Sequence, residues 1–219
     1  MPSLLDGRLA AAVNLVGGRL CLDFVNSVGA RRISASGEVA IRDEKLGDYL
    51  DLLAWARHAG ALTDSESKSL ERECIGRVNE ARAVFRRAFH LRESLYRIFS
   101  AIALKRNTEQ LHLRVLNEQL RLARATEQLV ACKDNFEWQW HAPDPSLDRV
   151  IWSVTRSAAD LLTQGDLTRL RQCEGEDCGW IFEDTSRNRS RRWCEMRDCG
   201  NIAKVRRFRR RQKKNLRST

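Results

Sequence analysis

Apolar residues recur at three- and four-residue steps through most of the first 165 positions, the period of helices that bury one face. A helix is predicted over 44–58, with Leu46, Leu50, Leu53 and Ala54 on one side and Gly60 just past its end. Thr63-Asp64-Ser65-Glu66 spells a capping box, in which residues three apart each bond the other's backbone amide. The helical stretch it opens runs to about residue 106 and is expected to break near Gly76. Val78, Ala81, Phe85, Ala88, Leu95, Phe99 and Ile102 form its stripe. A further helix is expected over 108–131. The most regular stripe (Leu147, Val150, Ile151, Val154, Ala158, Leu161 and Leu162) belongs to a helix that Asp144-Pro145 would open and Gly165 close.

Two short runs alternate with period two instead. Leu20, Leu22 and Phe24 alternate with Cys21, Asp23 and Val25, which suits a strand in a run too short to exclude a helical turn. Phe136, Trp138 and Trp140 alternate with Glu137 and Gln139, and the two runs are expected to pair. Residues 30–43, with their charges, serines and Gly37, look like an exposed loop. The pattern implies a mainly α (α+β) chain. Its helical N-terminal domain, with a small β element, spans 1–170, and a C-terminal module fills 171–219.

In that module four of the seven cysteines form two matched pairs, Cys173/Cys178 and Cys194/Cys199. Four thiolates suit one structural Zn2+, which takes soft sulfur ligands in a closed tetrahedron and leaves no position open for water. The competing assignments are four unpaired structural thiols or two disulfides. Trp180-Ile181-Phe182 and Arg191-Arg192-Trp193 flank a polar turn and predict a hairpin, with Trp180, Phe182 and Trp193 as a mini-core beside the metal. After Cys199, the residues Ile202, Val205 and Phe208 step by three as a narrow apolar edge able to pack on the finger. The order knuckle, hairpin, second pair, helix resembles a treble-clef zinc finger.

Charge sharpens this division. Residues 186–217 hold fourteen of the 39 Lys and Arg but only two of the 29 acids, while the rest of the chain holds 25 bases and 27 acids. The net +10 therefore belongs to the C-terminal end. A basic helix fixed to a metal module points to nucleic acid, with Arg187, Arg189, Arg191, Arg192, Lys204, Arg206, Arg207, Arg209, Arg210 and Arg211 as candidate contacts. Its bland counterpart is a solvated basic tail.

Other classes find little support. No run reaches the roughly 18 apolar residues that span a bilayer, and the N-terminus lacks a basic segment before its apolar patch, so a cytoplasmic protein is expected. The histidines (His58, His90, His112, His141) are scattered, and no nucleophile has a base at a recognisable spacing, so no catalytic residue is assigned and an enzyme is not expected. Cys21, Cys74 and Cys132 are expected to be buried structural thiols, and the arginines over 77–124 solvated helix faces. Asp23 and Asn26 are expected to anchor local backbone, with a ligand contact as the minority reading and an enzyme with its pocket around them as the least favoured alternative.

The residues also carry a family resemblance. The succession CGW, IF, D, S, N, RRW, C, CGN, AKVRR over 178–207 resembles the CGNR zinc finger. GGRLCLDFVNS at 17–27 resembles the opening of the ABATE domain, which precedes this finger in a family of stress-induced bacterial transcription regulators. The resemblance implies a mostly helical first domain with a small β element, zinc on Cys173, Cys178, Cys194 and Cys199, and DNA binding in the nucleoid. An RNA- or ribosome-associated finger is the alternative. Where the family's name motif ends in Arg, this chain has Ile202.

Overall fold

The computed structural model describes residues 3–33, 39–141 and 145–215. It is mainly helical with three two-stranded antiparallel sheets. The helices are α1 (Leu20–Val25), α2 (Tyr49–His58), α3 (Asp64–Gly76), α4 (Val78–Ala103), α5 (Gln110–Arg124), α6 (Arg149–Gln164) and α7 (Asn201–Asn215). The strands pair as β1 (Val28–Ile33) with β2 (Val39–Glu44), β3 (Glu127–Ala131) with β4 (Phe136–Trp140), and β5 (Leu170–Gln172) with β6 (Ile181–Glu183). No helix among the described residues is long and apolar enough to cross a membrane.

The longest helix, α4, is the axis of the core. It packs on α1, α2, α3, α5 and β5; Ala81, Ala88, Leu95 and Phe99 of its predicted stripe are buried, Val78 at its start is exposed, and Leu91 and Ile98 join the core beside them. Trp55 of α2 is fully buried and lies 4.9 Å, centroid to centroid, from Phe24 of α1. The capping box is formed: Thr63 Oγ1 accepts from Glu66 N at 3.2 Å, and Thr63 N donates to Glu66 Oε2 at 2.8 Å. α3 and α4 part at Gly76–Arg77, and Gly165 ends α6 where a Cβ would meet Leu161 O at 2.5 Å.

Several elements differ from the sequence expectation. Residues 20–25 are helical, not a strand: Cys21, Leu22, Phe24 and Val25 are all buried, so successive residues do not alternate between core and solvent. Residues 28–33 and 39–44 pair as the antiparallel strands β1 and β2 rather than lying in a loop, although β2 is largely exposed. Charge hid the pairing, because Arg31 lies inside with its guanidinium bonded to Glu93 and stacked 4.2 Å over Tyr96. The helix predicted over 108–131 stops at Arg124 and returns as β3, which pairs β4 in place of the 19–25 run. α2 starts at Tyr49, where Asp48 accepts from Asp51 N at 2.8 Å. α6 starts at Arg149, beyond Pro145, and the expected cap Asp144 lies outside the described residues.

The first two finger strands continue the body's core. Leu170 and Ile181 are buried in the same apolar cluster as α4 and α1, with Trp180 packed against it.

Candidate metal centre and nucleic-acid interface

The connection between β5 and β6 is the first cysteine knuckle. Cys173 N donates to Trp180 O at 2.8 Å, which folds the loop back and brings Cys178 beside Cys173. Gly179, at φ +66°, has its backbone so close to β1 that a Cβ would meet Arg31 O at 2.6 Å. The second pair is bent by a single wide turn, Met196–Gly200, that leads straight into α7. The four Sγ atoms lie within 4.8 Å of one another, with Cys178 to Cys194 at 3.5 Å and Cys194 to Cys199 at 3.7 Å.

Those separations discriminate between the candidate chemistries. Zinc–sulfur bonds of ~2.3 Å in a tetrahedron put sulfurs about 3.8 Å apart, whereas a disulfide needs about 2.05 Å. All four cysteines are free thiols. Hydrogen bonds from the Cys178 and Cys194 thiols, then from the Cys194 and Gly175 amides, outweigh burial and hold Cys173 well below the ordinary thiol range. The same bonds push the donating Cys178 and Cys194 thiols up, and burial pushes Cys199 up, so the protein alone favours one charged sulfur and a bound metal ion would have to hold the other three deprotonated. The cluster fits one structural zinc, held by Cys173, Cys178, Cys194 and Cys199.

Beside the metal, Phe182 is buried with Cys173 and Cys194, and Trp180 and Trp193 pack against them, as the mini-core expectation has it. The hairpin is a different one, however, since β6 pairs with β5 and not with 191–193. Asp184 explains the change. Fully buried, its carboxylate accepts from Ser186 N (2.9 Å), Ser186 Oγ (2.6 Å) and Arg191 N (3.0 Å), cinching 184–191 into a loop that cannot return as a strand. The sequence signal for it was local, an Asp two residues before a Ser, which is the spacing of an Asx turn.

The body grips the finger through backbone. Asn26 Nδ2 donates to Ile181 O at 2.8 Å, and Ile181 N donates to Asn26 Oδ1 at 2.9 Å, both inside the protein. Asp23 Oδ1 accepts from Gly17 N at 2.8 Å, while Gly17 O accepts from Glu183 N at 2.8 Å. Burial pushes the Asp23 carboxyl up to about 6. Arg31 N donates to Cys178 O at 2.9 Å, and Trp180 Nε1 to Val28 O at 3.0 Å. Asp23 and Asn26 therefore both end on backbone. Of the other thiols, Cys21 and Cys74 are buried, but Cys132 at the foot of the β3–β4 turn is only half-buried.

The candidate basic residues fall into three groups. Arg191 is structural: its guanidinium donates to the carbonyls of Val16, Trp193 and Cys194 and lies 4.2 Å over the Phe182 ring. Arg189, Arg192 and Arg206 are exposed but paired, with Asp166, Glu174 and Glu176 respectively. Arg187, Lys204, Arg207, Arg209 and Arg210 are exposed, and no carboxylate pairs with them among the described residues. The Arg211 side chain lies outside the described residues. Arg206, Arg207 and Arg210 line a groove of about 570 Å3 whose opposite wall is the acidic knuckle Glu174, Glu176 and Asp177.

The apolar edge of α7 does not pack on the finger. Ile202, Val205 and Phe208 are 48%, 48% and 62% exposed: α7 packs mainly on the Met196–Gly200 turn and reaches the first knuckle through its charged Arg206, which pairs with Glu176. Ile202, standing in place of the family's Arg, begins that exposed edge.

Residues 18–165 match the ABATE family, described as "Putative stress-induced transcription regulator", and residues 169–212 match the CGNR zinc finger. No curated protein matches the chain. The first match alone covers more than half of the sequence and the second contains all four clustered cysteines, so the chain belongs to the ABATE family and carries a CGNR zinc finger at its C-terminal end.

Proposed function

We propose that the protein is a zinc-dependent, DNA-binding transcription regulator of the cytoplasm and nucleoid, in which residues 171–219 contact DNA and residues 1–170 receive an effector or partner. The observation that carries this is the set of unpaired cations on α7, Lys204, Arg207, Arg209 and Arg210, on a helix whose start is fixed by a zinc ligand. Such a helix can enter a groove while its arginines take phosphates on either side. Arg187, from the Asp184 loop, belongs to the same interface, and Arg206, Arg189 and Arg192 join it by exchanging a carboxylate for a phosphate.

The test is fluorescence anisotropy on a labelled duplex with the zinc-loaded protein. The logarithm of affinity should fall against the logarithm of salt with a slope of roughly −0.9 per phosphate neutralised. Arg207→Ala and Arg210→Ala should each make it shallower by about one. A flat salt dependence, or no binding, overturns the proposal.

A second reading rests on Phe208, exposed amid arginines where it could stack on an unpaired base. Competition by RNA hairpins that exceeds competition by duplex DNA would select it.

A further inference from the structure

One cleft lies away from the finger's exposed surface. Between the last turn of α4 and the first turn of α5 is a cavity of about 290 Å3. That is near the lower end of the roughly 300–1,000 Å3 typical of small-molecule sites. Arg97, Arg106 and His112 line it, with Asn107 beside them and Glu109 as the one acid among the described lining residues. Lys105, at φ +55°, turns the chain back, and Arg106 N closes on Ala101 O at 2.7 Å, so the backbone of Arg106 and Asn107 is held at the edge of the cleft. No carboxylate pairs with Arg106 among the described residues, whereas Arg87 and Arg92 of α4 each hold one.

The floor is polar and enclosed. Tyr96 and Ser100 are buried and line it, and both hydroxyls meet one side chain: Ser100 Oγ donates to Gln172 Oε1 at 3.1 Å and Gln172 Nε2 donates to Tyr96 Oη at 3.3 Å. Val39, Ala101 and Leu104 supply the apolar remainder. The Arg106 guanidinium on the rim, hydroxyls below and a modest apolar wall fit a compact molecule with one strongly charged end.

We propose that this cleft binds a small anionic metabolite carrying a phosphate or carboxylate group. The inference rests on reading the body as an effector module and names the site and the ligand class. Gln172, which satisfies the floor, is the residue immediately before the zinc ligand Cys173, so an anion that draws Ser100 or Tyr96 away acts one residue from the metal.

Isothermal calorimetry on the full-length, zinc-loaded protein tests this, with inorganic phosphate and citrate as probes and glycerol as the uncharged control. At least one anion should bind saturably and glycerol should not. Arg106→Ala and His112→Ala should each weaken that binding about tenfold or more, with the melting temperature checked to exclude unfolding. Arg207→Ala, on the other anion-attracting surface, should leave it unchanged. The proposal falls if neither probe gives saturable heat up to about 10 mM, if both cleft variants bind as wild type does, or if Arg207→Ala abolishes the heat. Duplex binding is measured separately without either probe, so loss of the DNA reading and loss of this site show in different assays.

Discussion

Replacing Asn26 by Ala tests how the finger is held. The change removes both bonds to Ile181, at 2.8 and 2.9 Å, and leaves that residue's N–H and C=O facing an apolar interior. Asn26 is 1% exposed and Ile181 0%, so bulk water does not substitute readily. Each orphaned buried group costs about 1–3 kcal/mol, giving a loss of about 2–6 kcal/mol for the pair. At roughly 2–4 °C per kcal/mol for a chain of this size, the melting temperature should drop by about 4–24 °C. Asn26→Asp should be no better, because it keeps an acceptor for Ile181 N but sets a carboxylate oxygen against Ile181 O. Calorimetric melting, with zinc release to a chromogenic chelator followed in parallel, reads both stability and the metal. A loss below about 1 kcal/mol with unchanged zinc release would refute the bracket as a structural element.

Cys194→Ser should lower bound zinc from one per chain to nearly none by elemental analysis, since the closed tetrahedron has no spare ligand; equal zinc in both proteins would refute the site. Glu176→Gln frees Arg206 for phosphate, so duplex affinity should rise about two- to fivefold at low salt, and the gain should vanish at high salt. Asp23 titrates at about 6 against an ordinary 3.8, so the folded state holds an extra proton between those values and stability falls as pH rises through that window. Asp23→Asn keeps the acceptor for Gly17 N, so it should melt above wild type at pH values above about 6, with the difference shrinking towards about pH 4.

Periodicity read the body well wherever one face of an element is buried. α3, α4 and α6 lie near where their stripes put them, with the capping box and Gly165 at their ends. It failed where burial was complete or where charge lies inside. α1 is buried along nearly all its length, so its apolar run mimicked a strand. β1 carries an arginine whose partner, Glu93, is 62 residues away and could not be inferred from neighbours. The cysteine spacing gave the metal site because four soft ligands in two short loops have few other uses. The roles of Asp23 and Asn26 were legible only as a tendency of such side chains to bond backbone; for Asp23 that backbone is local, at Gly17, but for Asn26 it lies 155 residues away.

The position of β6 has one further consequence. Ile181 lies between Cys178 and Cys194 in the chain and sits in the body's own core, so metal loading and folding of the body are thermodynamically linked. Zinc starvation would loosen the whole protein and expose it to cellular proteases. The amount of the protein in a cell would then follow zinc supply, through turnover instead of transcription.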